Sequence, residues 1–70
     1  MKYVIIIEPT GTGFSAYSPD LHGCVATGGS RSEVQRNMTE AISLHVELLR
    51  ESGQEVPQPR SSAAVVEVAA

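Results

Sequence analysis

Residues 28–53 read GGSRSEVQRNMTEAISLHVELLRESG, and they decide the fold. Ser30 followed three residues later by Glu33 forms a capping box, in which a hydroxyl and a carboxylate satisfy free amides at a helix start. From Val34 the apolar positions run Val34, Met38, Ala41, Ile42, His45, Leu48 and Leu49. Their spacings of three and four draw one continuous stripe along a helix. Glu33, Arg36, Glu40, Glu47, Arg50 and Glu51 fall largely on the other side and form a solvated face. Gly53 can supply a left-handed C-terminal residue, and Pro57 and Pro59 forbid continuation, so the helix should stop near Ser52. About 22 residues give a rod of roughly 33 Å, and its apolar stripe needs a surface to lie on.

The upstream sequence supplies that surface. Residues 2–8 hold Val4, Ile5, Ile6 and Ile7 in succession and are bounded by Pro9-Thr10-Gly11-Thr12-Gly13, which reads as a strand and a tight connection. Alternation puts Tyr3, Ile5 and Ile7 on one face and Val4 and Ile6 on the other, so both faces call for burial. Residues 14–18 form the hairpin partner. Pro19-Asp20-Leu21-His22-Gly23 is expected to be a protruding loop, because Pro and Gly interrupt a ladder. Residues 24–27 make a short third strand, ended by Gly28-Gly29. Beyond the prolines, residues 63–68 carry Val65, Val66 and Val68 and are compatible with a final edge strand. The expected architecture is α+β: a three- to four-stranded antiparallel-rich sheet, one amphipathic helix on one face, and the order β-β-β-α-β in a single domain over residues 1–70.

Composition narrows the function classes. A chain of 70 residues buries only about 60% of its unfolded surface and has a modest core. Domains of this size often rely on disulfides, a metal or an oligomer interface. Cys24 is the single cysteine and His22 and His45 are the two histidines, so neither an internal disulfide nor a zinc-finger ligand set is available. Oligomerisation remains as the expected supplement. A lone cysteine between Gly23 and Val25 reads as a small buried apolar residue, and a free thiol fits a reducing cytoplasm. The apolar run before Glu8 and Pro9 is too short for a secretory signal or a membrane span, so the expectation is a soluble, cytoplasmic protein. Five Lys and Arg against eight Asp and Glu leave a formal charge of -3. The cations are scattered, so direct nucleic-acid binding is not expected.

No catalytic constellation emerges. The stretches Gly11-Thr12-Gly13 and Gly28-Gly29 lack the Lys and Ser/Thr that complete a phosphate loop, and read as turns. Ser30 is explained by capping and has no His and acid at recognisable spacing. Glu8 and Asp20 fall short of the three or four carboxylates of a two-metal nuclease. His45 reads as a partly buried packing residue, and His22 in the loop as an exposed contact candidate. No cofactor or metal is expected. What does call for a function is surplus apolar surface, since one helix covers one face of a sheet and large exposed apolar patches mark interfaces.

The ordered series P-D-L-x-G-C over Pro19 to Cys24, G-x-S-x-x-E over Gly28 to Glu33, N-x-x-E-A-I over Asn37 to Ile42 and G-x-x-V-P-x-P over Gly53 to Pro59 resembles the HicB-like antitoxin family across nearly the whole chain. Tyr3 and the turn from Glu8 to Gly13 with Phe14 following add to the likeness. The resemblance implies a β-β-β-α-β domain, partly like the ribonuclease H and double-stranded RNA-binding folds, that pairs with and blocks a small HicA-type mRNA-cleaving toxin of bacteria. It also implies a homodimer or higher oligomer. Full-length members carry a C-terminal DNA-binding segment that these 70 residues do not contain. His22 stands where the family commonly has a second Pro, and Gly29 where an acidic residue is common.

The expected function is therefore that of a non-enzymatic antitoxin, or a binding protein derived from one. Asp20, Leu21 and His22 are the candidate partner-binding residues, and Tyr3, Ile5, Ile7, Val66 and Val68 the candidate oligomer interface. The alternatives are a stand-alone oligomeric structural or regulatory module and a vestigial ribonuclease H-like nuclease.

Overall fold

The capping residues behave as their chemistry requires. In the computed structural model, which describes residues 1–69, helix α1 spans Arg31–Glu51 with Ser30 as its N-cap. The Ser30 hydroxyl accepts from the Glu33 amide at 3.1 Å. The Glu33 carboxylate accepts from the Gly29 amide at 3.2 Å, one residue earlier than the capping box places it. At the far end Gly53 takes φ +71°. Its amide donates to the Arg50 carbonyl at 3.1 Å and the Gln54 amide to the Leu49 carbonyl at 2.9 Å, the paired closure of a Schellman motif.

Three strands, β1 (Ile6–Pro9), β2 (Phe14–Tyr17) and β3 (Val25–Gly28), form an antiparallel sheet in the order β1-β2-β3. Ile7, Ala16 and Ala26 lie side by side across it, as do Ile6, Tyr17 and Val25. The first row faces α1 and the second, one residue out of phase, lines the opposite face. α1 lies chiefly over β3 and β2 and only lightly over β1. Ala16, Leu21, Cys24, Val34, Met38 and Val46 form the buried core. Gly28 lets the helix start touch the sheet, because a Cβ there would lie 2.6 Å from the Val34 amide nitrogen.

Four expectations are corrected. The first strand is shorter than residues 2–8, because β2 ends at Tyr17 opposite Ile6 and leaves residues 2–5 no partner strand. The loop after β2 does not protrude: the Leu21 amide donates to the Ser18 carbonyl at 3.2 Å and the Cys24 amide to the Leu21 carbonyl at 3.2 Å. These turns fold Leu21 into the core. Residues 63–68 form no strand, and Val65, Val66 and Val68 are exposed; β-branched residues favour a strand only when an edge is there to pair with. Finally, the burial stripe of α1 follows Val34, Met38, Ile42 and Val46, leaving Leu48 exposed. Val46 was not among the residues of the sequence-derived stripe.

The long helix and the trailing segment make the molecule elongated. Its radius of gyration is 13.7 Å, against about 11 Å for a compact chain of this length.

Candidate partner-binding site

The second half of α1 runs past the end of the sheet and carries Leu44 and Leu48 over the start of β3. Strands of four residues are about 13 Å long, whereas a helix of 21 residues is about 31 Å, so the overhang follows from the element lengths. Between them lies a shallow groove of about 180 Å³, lined by Gly23, Cys24, Val25, Ala41, Leu44, His45 and Leu48. Val25 is 66% exposed, Leu44 57% and Leu48 53%. Leu44 and Leu48, a helical turn apart and both more than half exposed, make a ready docking patch, with Val25 of the edge strand at its rim. Cys24 closes the floor, and burial pushes its thiol up from the ordinary value, which makes it a packing residue.

The loop residues singled out from the sequence separate into three roles. Leu21 is 1% exposed and belongs to the core. Asp20 is engaged within the chain: its Oδ2 accepts from the Arg60 and Ser61 amides at 3.0 and 2.9 Å, and its Oδ1 from the Ser61 hydroxyl at 2.9 Å. These bonds, led by the Ser61 and Arg60 amides, hold the Asp20 carboxyl below its ordinary value of 3.8. His22 alone of the three is open to solvent, next to Gly23 at the groove.

The candidate oligomer residues also divide. Tyr3, Ile5 and Ile7 are half-buried and pack against the core beneath α1. Val66 and Val68 are exposed. The open sheet face carries Val4, Ile6, Tyr17 and Val25 instead, set by the register of Ile6 with Tyr17 and Val25.

Other candidates resolve into structure. Gly13 packs against Gly28 and Gly29, and these glycines share a polar hollow with the Glu33 carboxylate. Asn37, a residue of the N-x-x-E-A-I motif, donates from Nδ2 to the Thr27 carbonyl at 2.8 Å and ties α1 to the rim of β3. Among the described residues no group of three or more His, Cys, Asp or Glu side chains could hold a metal ion, and no helix is long and apolar enough to cross a membrane.

The profile of a family described as HicB-like antitoxin of bacterial toxin-antitoxin system matches residues 3–69. The chain belongs to the HicB-like antitoxin family. A solved structure of a HicA3 and HicB3 toxin-antitoxin complex contains a chain similar to it, with a TM-score of 0.75 and 35% identity, covering 86% of this chain and 70% of that one. An uncharacterised 14.9 kDa protein from the rep-hol intergenic region of Haemophilus phage HP1 is 40% identical over 58 residues, which are 83% of this chain and 44% of the phage protein. The chain thus spans less than half the length of that relative. A UPF0150 protein of Synechocystis is 37% identical over 58 residues, covering 81% of this chain and 73% of its own length. The HicB-like fold here comprises three antiparallel strands and one helix, and the sequence motifs that suggested it fall on the loop between β2 and β3, the cap, the helix and the turn and segment that follow it.

Proposed function

We propose that this HicB-like chain neutralises a HicA-type mRNA-cleaving toxin by direct binding, with no chemistry of its own, and that the groove of Val25, Leu44 and Leu48 is the surface the toxin meets. The observation that carries the reading is the exposed aliphatic groove on a member of an antitoxin family. A HicA3–HicB3 complex as structural neighbour supports the choice of partner. Occlusion needs no catalytic group on the antitoxin, only enough buried area to hold the toxin away from RNA. The formal charge of -3 assists encounter with a cationic ribonuclease. His22, at the rim, supplies a polar contact, and the buried Leu21 holds its loop in place.

The test is co-expression with a HicA-type toxin from the same genome. The wild-type chain should restore growth and co-purify with the toxin. The double variant Leu44→Glu, Leu48→Glu should lose both while keeping its helical circular dichroism, since the two side chains stand in solvent. Failure of the wild type to bind or to rescue removes the reading, and rescue by the double variant moves the toxin to another surface.

A further inference from the structure

The exposed leucines of α1 have a charged border along one side. Leu44 has Glu40, Ala41, Glu47 and Leu48 three or four residues away, and Leu48 has Leu44, His45, Glu51 and Ser52. Residues at those spacings are neighbours on a helix surface, so Glu40, Glu47 and Glu51 run beside the leucine pair and no arginine does. All three glutamates are exposed. Arg50 lines a second hollow with Met1, Ile42 and Val46, and Glu47 and Glu51 stand on the crest between that hollow and the leucine groove. Arg36 lies more than two turns before Leu44. On the sheet side the groove is closed by Gly23, Cys24 and Val25, which bring no cation.

An apolar strip with carboxylates along one border is complementary to an apolar strip bordered by lysines or arginines. On an α-helix the rise from Glu40 to Glu47 is about 10.5 Å and from Glu47 to Glu51 about 6 Å, so the row can meet several cations at once. Exposed charges act on an approaching partner over about 10 Å at 0.1 M salt. Their effect falls chiefly on the rate of encounter and on the choice of partner. The leucines, desolvated once the complex has formed, hold it together.

We propose that Glu40, Glu47 and Glu51 are the specificity-determining border of the leucine groove, and that its occupant is a basic surface of the toxin whose Lys or Arg side chains meet this row. The inference rests on the reading that the toxin binds at the groove. It goes further by placing the electrostatic complementarity on three residues of one helix flank rather than on the formal charge of -3 as a whole. Leu44 and Leu48 then govern how long the complex lasts, and the three glutamates how fast it forms.

Association and dissociation rates with a HicA-type toxin from the same genome, measured by surface plasmon resonance at about 50 and about 500 mM NaCl, test it. The triple variant Glu40→Gln, Glu47→Gln, Glu51→Gln should associate about tenfold more slowly at the lower salt, with a flattened salt dependence and a dissociation rate within about twofold of wild type. A second triple variant, Glu8→Gln, Glu55→Gln, Glu67→Gln, removes the same charge from exposed positions outside the groove. It should keep at least about half of the association rate. Either variant has a formal charge of zero, so net charge alone predicts equal slowing. Equal slowing, or a wild-type association rate that does not fall with salt, overturns the inference and leaves toxin binding at the groove in place. A wild-type chain that does not bind the toxin removes both readings.

Discussion

The two halves of α1 obey the same periodicity and meet different fates. In the first half Val34 and Met38 are wholly buried against Ala16, Leu21 and Cys24, and the turn is sealed by Ser30 and by the close approach at Gly28. In the second half Leu44 and Leu48 stand in solvent, and much of what ties the chain down below the sheet is polar: Tyr3 to Pro57, and Asp20 to Arg60 and Ser61. The difference comes from phase together with length: Leu44 lies off the buried line of Val34, Met38, Ile42 and Val46, and a helix of 21 residues outruns strands of four. The first half stabilises the fold by burial, and the second keeps Val46 in the core while presenting Leu44 and Leu48 as a surface.

The largest effect that can break this contrast is Met38→Ala. Truncating a fully buried side chain in a small core should cost about 2–5 kcal/mol, read as a lowered midpoint of urea unfolding. A midpoint close to that of the wild type would mean that the first half is not the packed one. Next in size is Ser30→Ala, which frees the Glu33 amide and should cost about 1 kcal/mol by the same measurement.

Changes below the sheet should be smaller. Leu44→Ser with Leu48→Ser should shift stability by no more than about 0.5 kcal/mol, while toxin capture in a pull-down drops. A loss comparable to that of Met38→Ala would sink the distinction between the halves. Smallest in global terms is Asp20→Ala. Hydrogen–deuterium exchange should show the Arg60 and Ser61 amides losing protection while the core of α1 keeps its own.

Acid should reproduce that local release. The folded Asp20 carboxyl titrates below its ordinary value of 3.8, so its contribution is fully present above that value and is lost as pH falls through the lowered one. Following the Asp20 carboxyl carbon by NMR should place its midpoint below 3.8, and a midpoint above it would mean the strap is not formed.

The helix was legible because its signals are local. A hydroxyl and a carboxylate three residues apart, a stripe at spacings of three and four, and Gly53 before two prolines act within a turn or two of the backbone. They place its start at Arg31 and its end at Glu51 within a residue or so of expectation. The three strands were legible for the same reason, the first from its β-branched run and the others from the turn residues that bound them. Less could be read of the site. Leu21 sits between Asp20 and His22, and nothing in that tripeptide says that two short turns fold the first into the core and leave the third outside. Asp20 read as a candidate partner-binding residue, because the amides that occupy it come from 40 residues away.

By itself the sequence determined the α+β class, the helix with its caps, the three-stranded order and the family, all of which rest on periodicity or on motifs read in line. Only the tertiary structure decided which face of the first strand α1 would cover, that Asn37 would bond the Thr27 carbonyl at the rim of β3, and that Leu44 and Leu48 would stand in solvent. Those outcomes depend on register and on relative element length. Alternation along a strand divides its residues into two faces but gives neither face a preference for the helix, and a stripe on a helix does not know where its sheet ends.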